Sequence, residues 1–236
     1  AALHAGVDAA PALLPDLVPA ALAAALLHGR GGATALAAAG LAALHGLAGD
    51  DLPAAVLASW ATAGAGLPWL PGAGPDGPIA CDLERDGPHA LVAGTTGSGK
   101  SALLEALVVG LALRLPPTRV AFILIDFKGG AAFAPLADLP HVAAIVTDLD
   151  DGIAERAVEA LGGELRRREE LLHAEGAPDL RALATRAPEL APPALVIVVD
   201  ELAALVRATP GMLDALVDLA QRGRSLGLHL VLATQR

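Results

Sequence analysis

The sequence has few of the residues that mark disulfide-bonded, zinc-binding or base-stacking proteins. Its 236 residues include one cysteine, two tryptophans, three phenylalanines and no tyrosine. The single Cys81 excludes an intrachain disulfide, and no CxxC or His/Cys pattern indicates zinc, so a reducing interior is the expected compartment. Because aromatic rings are so scarce, we expect Trp60 and Trp69 to be packing residues rather than a platform for stacked bases.

Basic residues are also scarce. Sixteen Lys and Arg against 26 Asp and Glu give a net charge of −10. This balance argues against a surface built to grip nucleic acid without sequence preference, although it leaves room for a local basic groove. Residues 31–49 form a weakly polar run long enough to be considered as a membrane span. The run is rich in Ala and Gly and has few large apolar side chains, which favours an Ala-rich helix over a membrane span.

The strongest positive signal is the stretch GTTGSGKS at residues 94–101. It matches the phosphate-binding pattern GxxxxGK[ST]. The apolar run ALVA enters it at residues 90–93, and a long apolar segment leaves it over residues 101–115. This order of strand, loop and helix favours a nucleotide site over a glycine-rich turn with an exposed lysine.

The residue types of this loop suit the chemistry of triphosphate binding. Glycines allow the backbone N–H groups to turn inward at a helix N-terminus, where the helix dipole also favours an anion. Lys100 is then expected to reach the β- and γ-phosphates of ATP, and Ser101 to bind Mg²⁺. The predicted nucleotide-binding residues are the whole loop: Gly94, Thr95, Thr96, Gly97, Ser98, Gly99, Lys100 and Ser101.

A second half of the site is predicted where two later strands end. The apolar run LVIVV at residues 195–199 is followed by Asp200 and Glu201. The first carboxylate suits Mg²⁺ and the second suits polarising the attacking water, unless the pair simply caps the next helix. A further apolar run ends at ATQ, where Gln235 or Thr234 could sense the γ-phosphate or only end the strand.

Two groups of arginines have competing interpretations. Arg222 and Arg224 follow a predicted helix that begins near Met212. Either one supplies a guanidinium to a neighbour's γ-phosphate, or both lie beside the helix C-terminus because its dipole favours cations. The triplet at residues 166–168 alternates with glutamates, including the i,i+4 pair Glu164 and Arg168, which predicts a solvated, salt-bridged face rather than a nucleic-acid patch.

The apolar runs at residues 120–125, 142–146, 195–199 and 228–232 show no polar alternation. They predict an α/β fold with a mostly parallel sheet flanked by helices, one of them over residues 152–174. A Pro/Gly-rich passage at 68–78 and a short strand at 79–83 could form a hairpin.

Two regions are predicted. Residues 1–66 form a small Ala/Leu-rich helical lead-in, with helices near 17–27 and 33–44, and residues 67–236 form the ATPase domain. Because the chain stops directly after an apolar strand, we expect a fragment that is truncated at the C-terminal end of this domain.

Taken together, the motifs resemble the FtsK/SpoIIIE family of motor ATPases. The resemblance rests on GPHALVAGTTGSGKS at residues 87–101, DFKGG at 126–130, the strand ending in Asp200 and Glu201, and RGRSLGLHL at 222–230 followed by ATQR. Within the family, DFKGGAAF is more similar to the EccC-type ATPases of type VII secretion than to the DNA pumps, which tend to have proline in place of Phe127. The resemblance therefore implies a polypeptide substrate rather than DNA.

The resemblance also implies an architecture and a mechanism. It implies a RecA-like P-loop NTPase that self-associates, with a hexameric ring as one form and ATP at subunit interfaces. The strand bearing Gln235 should lie between the phosphate-loop strand and the Asp200 strand. Arg224 is raised over Arg222 as the residue that acts in trans, and Asp126 and Lys128 are expected beside the site.

The function that follows is an ATP-hydrolysing motor domain of an oligomeric translocase for protein export. It would be the cytoplasmic domain of a membrane-associated protein, joined to a membrane secretion complex through regions outside this sequence. Two alternatives stay open: a DNA-translocating ATPase of the FtsK/SpoIIIE type, and a nucleotide-binding module without turnover.

Overall fold

A parallel sheet forms the centre of the chain. The computed structural model describes residues 40–47, 51–127, 132–147, 153–209 and 211–235. The elements in chain order are α1 (Leu52–Ala61), β1 (Pro68–Gly74), β2 (Gly77–Asp82), β3 (His89–Ala93), α2 (Lys100–Arg114), β4 (Val120–Asp126), a 3₁₀ turn (Ala134–Leu136), β5 (Val142–Thr147), α3 (Ile153–Ala174), α4 (Leu180–Arg186), β6 (Ala194–Asp200), α5 (Leu202–Ala208), α6 (Met212–Leu226) and β7 (Leu228–Thr234).

The sheet has five strands in the order β3-β7-β6-β4-β5, and every neighbouring pair is parallel. The predicted α/β fold with a mostly parallel sheet is therefore confirmed, and each of the four apolar runs is a strand. The strand that leads to Gln235, β7, lies between β3 and β6, as the resemblance implied.

Helices cover both faces of the sheet, which explains why its strands are apolar throughout. All seven residues of β6 are buried. Successive strand side chains point to opposite faces. Val196 and Val198 accordingly pack in the cluster that contains Leu104 of α2, whereas Ile197 and Val199 pack in a second cluster with α3 and α6. A strand between two helical layers has no solvent-facing side, so polar alternation is absent.

The predicted hairpin is confirmed, but its first strand lies inside the Pro/Gly-rich passage itself. β1 pairs with β2 antiparallel, and the register shifts between Trp69 and Gly72. Proline is tolerated here because each strand of a two-stranded sheet has a free edge, where a missing N–H breaks no ladder bond. The strand predicted at residues 79–83 is observed as Gly77–Asp82.

The described part of the predicted lead-in packs against the α2 side of the sheet. Residues 40–44 are helical, α1 follows, and Val56 belongs to the same buried cluster as Leu104. Trp60 is a packing residue as predicted: its Nε1 donates to the carbonyl of Ala112 at 2.9 Å, and its ring meets His141 edge-on at 5.5 Å between centroids. The boundary at residue 66 stays a prediction, and the helix near 17–27 lies outside the described residues.

No helix in the described part of the chain is long and apolar enough to cross a membrane.

Two short helices, α4 and α5, were not predicted. The helix that begins at Met212 is longer than expected, because it continues through Arg222 and Arg224 to Leu226. The expectation that the two arginines follow the helix was therefore wrong. Helix α6 ends only at Gly227. The φ of 66° at this residue lets its backbone N–H donate to carbonyls of the last helical turn.

The prediction of a solvated salt-bridged face on α3 is confirmed for Arg167 and wrong for Arg168. Arg167 is 43% exposed and pairs with Glu164 at 2.7 Å. Arg168 is only 3% exposed, since this side of α3 packs against α6. Its guanidinium is satisfied by Glu164 and by the carbonyls of Pro193, Leu226 and Gly227. A sequence pattern of alternating charge cannot show which helix face a neighbour covers.

Candidate nucleotide site

The predicted site residues meet at one edge of the sheet. In parallel strands all carboxyl ends lie together, and here β3 leads into the phosphate loop, β7 into Gln235, β6 into Glu201, and β4 ends at Asp126. The register places Ala93 beside Thr234. It also places Asp126 beside Asp200. Segments far apart in sequence thus converge on what we call the carboxyl edge.

The loop adopts the conformation for which its glycines were predicted. Gly97 and Gly99 have φ of 78° and 88°, a region that costs side chains with a Cβ. At Gly94 a Cβ would lie 2.5 Å from Ser98 Oγ, so a side chain there would force Ser98 to move. Helix α2 begins directly after Gly99. Its first N–H groups, which have no partner within the helix, therefore point toward the loop.

Lys100 is drawn into the loop rather than exposed. Its residue is 8% exposed. The ammonium donates to the carbonyl of Gly94 at 2.8 Å and to that of Thr95 at 3.1 Å. A buried cation whose partners among the described residues are neutral carbonyls is well placed to form stronger, charge-assisted hydrogen bonds with an anion.

Ser101 and Asp200 are in direct contact across the site. Ser101 Oγ donates to Asp200 Oδ2 at 2.7 Å. A hydroxyl beside a carboxylate is a donor set that fits Mg²⁺, which takes few protein oxygens and completes its shell with phosphate and water. Asp126 lies on the neighbouring strand, 2% exposed, and accepts a hydrogen bond from the N–H of Ala132 at 3.0 Å. Lys128 lies outside the described residues.

A hydrogen bond that was not predicted joins the phosphate loop to the end of β7. Thr96 Oγ1 donates to Gln235 Oε1 at 2.8 Å. The two residues are 139 positions apart, and only knowledge that β7 lies next to β3 would have suggested the pair. Gln235 is therefore in contact with the loop, as a residue that senses the phosphate must be.

These groups surround a cavity of about 430 Å³. Its walls combine loop, helix and strand-end residues: Thr96, Gly97, Gly99, Lys100, Ser101, Ala102, Asp200 and Gln235.

Glu201 follows Asp200 directly, with φ 66° and ψ 55°. Among the described residues it is the one non-glycine with positive φ. Its side chain makes no capping hydrogen bond to α5, so the interpretation of this acid as a helix cap is wrong. Backbone strain of this kind tends to occur at functional sites.

Arg224 lies at the other edge of the sheet. β7 begins four residues after Arg224, and its first residue Leu228 pairs with Leu195 near the start of β6. A seven-residue strand spans about 20 Å, so the amino edge, where the strands begin, is far from Lys100. Arg224 therefore does not reach the nucleotide site of its own chain.

The two candidate arginines differ in their contacts. Arg222 contacts Asp218 and pairs with Glu169 of α3 at 2.8 Å. The hydrogen bond with Asp218 raises the pKa of Arg222 above its usual value. Arg224 is exposed, and its side chain has no hydrogen bond or ion pair with any residue that the structure describes. The geometry thus favours Arg224 as the guanidinium available to a partner.

The family of the chain follows from its sequence match. The model of the FtsK/SpoIIIE family matches residues 69–236. The chain belongs to this family. Among curated FtsK/SpoIIIE proteins, it is 42% identical to the ESX secretion system protein EccC of Thermomonospora curvata over 171 residues, and 39% identical to the ESX-5 secretion system protein EccC5 of Mycobacterium tuberculosis over 164. The matches cover 67% and 65% of this chain but only 13% and 12% of those relatives.

Solved structures of the FtsK/SpoIIIE family agree with the fold. The cytoplasmic domain of the T. curvata type VII secretion ATPase EccC is similar with a TM-score of 0.70 and 39% identity, over 77% of this chain and 23% of that one. T. curvata EccC (ATPases 2 and 3) in complex with a signal sequence peptide is similar with a TM-score of 0.62 and 32% identity, over 67% and 29%. The parallel sheet and its phosphate loop are thus those of a RecA-like P-loop ATPase domain.

Proposed function

We propose that this chain is an ATP-hydrolysing motor domain of a type VII secretion translocase. The observation that carries the proposal is the contact between Ser101 and Asp200, 2.7 Å apart in a cavity that also contains Lys100. Phosphate ligands and a Mg²⁺ donor set thus occur in one place, and the candidate water-activating acid, Glu201, follows Asp200 directly in the chain. The secretion relatives favour protein export over DNA translocation. No described residue specifically supports DNA translocation.

The roles of the residues follow from their positions. The loop N–H groups and Lys100 bind the phosphates, and Ser101 with Asp200 holds Mg²⁺, which when bound offsets phosphate charge. Glu201 orients and polarises water, because it follows Asp200 where the strand leaves the sheet. Gln235 contacts the loop through Thr96 and so responds to the state of the γ-phosphate.

The site is completed by a neighbour. Arg224 is about 20 Å from its own nucleotide site, so its guanidinium acts on the site of another motor domain. Leu213 and Val217, which are 52% and 45% exposed, share a face of α6 with Arg224 and suit an interface. The surface that presents Arg224 differs from the surface that contains the nucleotide site. The contact is therefore heterologous and generates a ring or a helical array.

The cargo and the location follow the relatives. One related structure is described as EccC bound to a signal sequence peptide, and another as a cytoplasmic domain. We therefore propose a polypeptide cargo and a cytoplasmic position beside a membrane complex. A signal-bearing substrate should stimulate ATP turnover by the full protein, whereas stimulation by DNA that weakens with salt would favour the DNA-pump alternative.

The test of hydrolysis is Glu201→Gln in the full-length, assembled protein. The variant should bind ATP with unchanged affinity but lose turnover by about 10²-fold or more, since the amide cannot accept the proton of water. Glu189→Gln, an exposed acid outside the site, is the control and should behave as wild type. Normal turnover by Glu201→Gln would contradict the assignment, and a wild type that binds without turnover would favour a binding module.

A further inference from the structure

We propose that Arg168 and Glu169 of α3 form a positioning clamp that holds the last turns of α6 and thereby presents Arg224 to a neighbouring nucleotide site. The proposal rests on the function proposed above, in which Arg224 acts in trans. It adds residues from α3, which the sequence indicated only as a charged surface.

Arg168 holds the end of α6 through its backbone. Its Nη1 donates to the carbonyl of Leu226 at 2.8 Å and to that of Gly227 at 3.3 Å. Its Nη2 donates to Pro193 at 2.8 Å, just before β6, and its Nε donates to Glu164 at 2.6 Å. The last carbonyls of a helix have no partner within it. One buried guanidinium therefore fixes both the end of α6 and its distance from β6.

Glu169 holds the same end of α6 through a side chain. Its Oε1 accepts a hydrogen bond from Arg222 Nη1 at 2.8 Å. Residues 222 and 224 differ by about 200° around a helix, so they lie on nearly opposite sides. The contact that ties Arg222 to α3 therefore turns Arg224 away from α3 and toward solvent, where it is observed to be exposed.

Gly223, between the two arginines, fixes the rotation of α6 about its own axis. A Cβ at Gly223 would lie 2.8 Å from the carbonyl oxygen of Leu228, so α6 is seated directly on the start of β7. His89 adds an anchor one turn earlier, because its Nε2 is 2.9 Å from the carbonyl of Ala220. With α6 seated on the sheet and clamped by α3, the direction of Arg224 is fixed before a partner arrives, which lowers the entropic cost of delivering it.

The experiment separates delivery from folding by using mixed assemblies of the full-length protein. A donor chain carries Lys100→Ala, which inactivates its own nucleotide site. An acceptor chain carries Arg224→Ala, so it has no guanidinium to supply to a neighbour. ATP turnover by the 1:1 mixture then comes from acceptor sites completed by donor Arg224. Arg168→Gln is placed first in the donor and then in the acceptor, and Arg166→Gln, an exposed member of the same triplet, is the control in each.

Arg168→Gln in the donor should lower turnover of the mixture by at least about tenfold, because small displacements of a catalytic group are costly. The same change in the acceptor should leave turnover within about twofold, and Arg166→Gln should have no effect in either chain. Glu169→Gln should reproduce the donor-specific loss, and it provides a second variant because Glu169 is 41% exposed and its change leaves no buried charge.

Each other outcome overturns a named part of the argument. If the starting mixture shows no turnover beyond that of the separate chains, action in trans is wrong and the clamp has no role. If the mixture is active but Arg168→Gln and Glu169→Gln lower turnover equally in donor and acceptor, the residues only stabilise the fold. If neither variant affects the donor, Arg224 needs no positioning by α3.

Discussion

The two edges of the sheet differ in which side chains they bring together and in how far apart those residues lie in the sequence. At the carboxyl edge, the acids Asp126, Asp200 and Glu201 lie at or directly after strand ends, and the glycine loop follows β3 at the same edge. At the amino edge, His89 and His229 are the first residue of β3 and the second residue of β7, beside an α6 that carries two arginines in its last turns. The first edge suits phosphate and metal, and the second suits presenting a cation to another molecule.

The largest effect is expected at the amino edge. Arg224→Ala should lower ATP turnover of the assembled protein by about 10³-fold, because a guanidinium supplied in trans offsets charge in the transition state. The ATP affinity of the unassembled chain should not change, since Arg224 lies about 20 Å from its own site. Turnover of the assembled protein and nucleotide titration of the unassembled chain measure the two effects. Arg222→Ala is the matched variant and should lose about tenfold, because it removes the contact with Glu169 that positions Arg224.

Equal losses for the two arginine variants would show that the amino edge acts as a whole rather than through one residue. A loss of ATP affinity in the unassembled Arg224→Ala chain would contradict the separation of the edges, since it would mean that this residue reaches its own site.

At the carboxyl edge, Lys100→Ala should weaken ATP binding by about 10²-fold. The variant loses charge-assisted hydrogen bonds, each of which contributes about 1.5–3 kcal/mol. Titration with a fluorescent ATP analogue measures the change, and Arg85→Ala, which removes a cation exposed elsewhere, is the control. Unchanged affinity in Lys100→Ala would mean that the loop is a turn and not a phosphate site.

The difference between the edges also decides what could be predicted from the sequence. The convergence of the loop, Asp200 and Gln235 at the carboxyl edge could be predicted, because these segments carry recognisable contiguous motifs such as the loop and the Asp200–Glu201 pair. Parallel topology then brings those segments together whatever their separation. The contact of Thr96 with Gln235 was missed only because it joins two such segments.

The amino edge was predicted poorly, because its contacts depend on how helices pack. Arg168 and Arg167 are neighbours of the same type, yet one is 3% and the other 43% exposed. Nothing in the charge pattern distinguishes the two arginines, since their exposure depends on where α6 lies. In the same way, the sequence analysis placed Arg222 and Arg224 after the helix, whereas in the structure Gly223 allows a close approach of α6 to β7 within a continuous helix.

Acid should destabilise the start of β5 at the amino edge. His141 is 1% exposed, and burial lowers its pKa from 6.5 to about 4. On acidification the unfolded chain therefore takes up this proton first, so the contribution is present above pH 6.5 and is lost as the pH falls toward 4. At pH 5 the loss for such a histidine is about 1–2 kcal/mol.

The measurement is the free energy of unfolding between pH 7.5 and pH 5 for the wild type and His141→Gln. The amide keeps a donor for the carbonyl of Leu115, which His141 Nε2 contacts at 2.8 Å, but it does not titrate. The variant should therefore show a smaller loss of stability on acidification by about 1–2 kcal/mol. Equal slopes would mean that His141 does not carry this part of the acid sensitivity.

The smallest effect is expected where the phosphate loop touches β7. Thr96→Val removes the hydroxyl that donates to Gln235 while keeping the volume of the side chain, and a neutral hydrogen bond contributes about 0.5–1.5 kcal/mol. Turnover should fall about three- to tenfold while ATP affinity changes less, because the contact orients Gln235 rather than holding phosphate. Thr118→Val is the matched control, since Thr118 is exposed, lies outside the site, and its hydroxyl makes no hydrogen bond to a described residue. If the two valine variants behave alike, Gln235 needs no support from the loop, and the carboxyl edge acts through the motif residues alone.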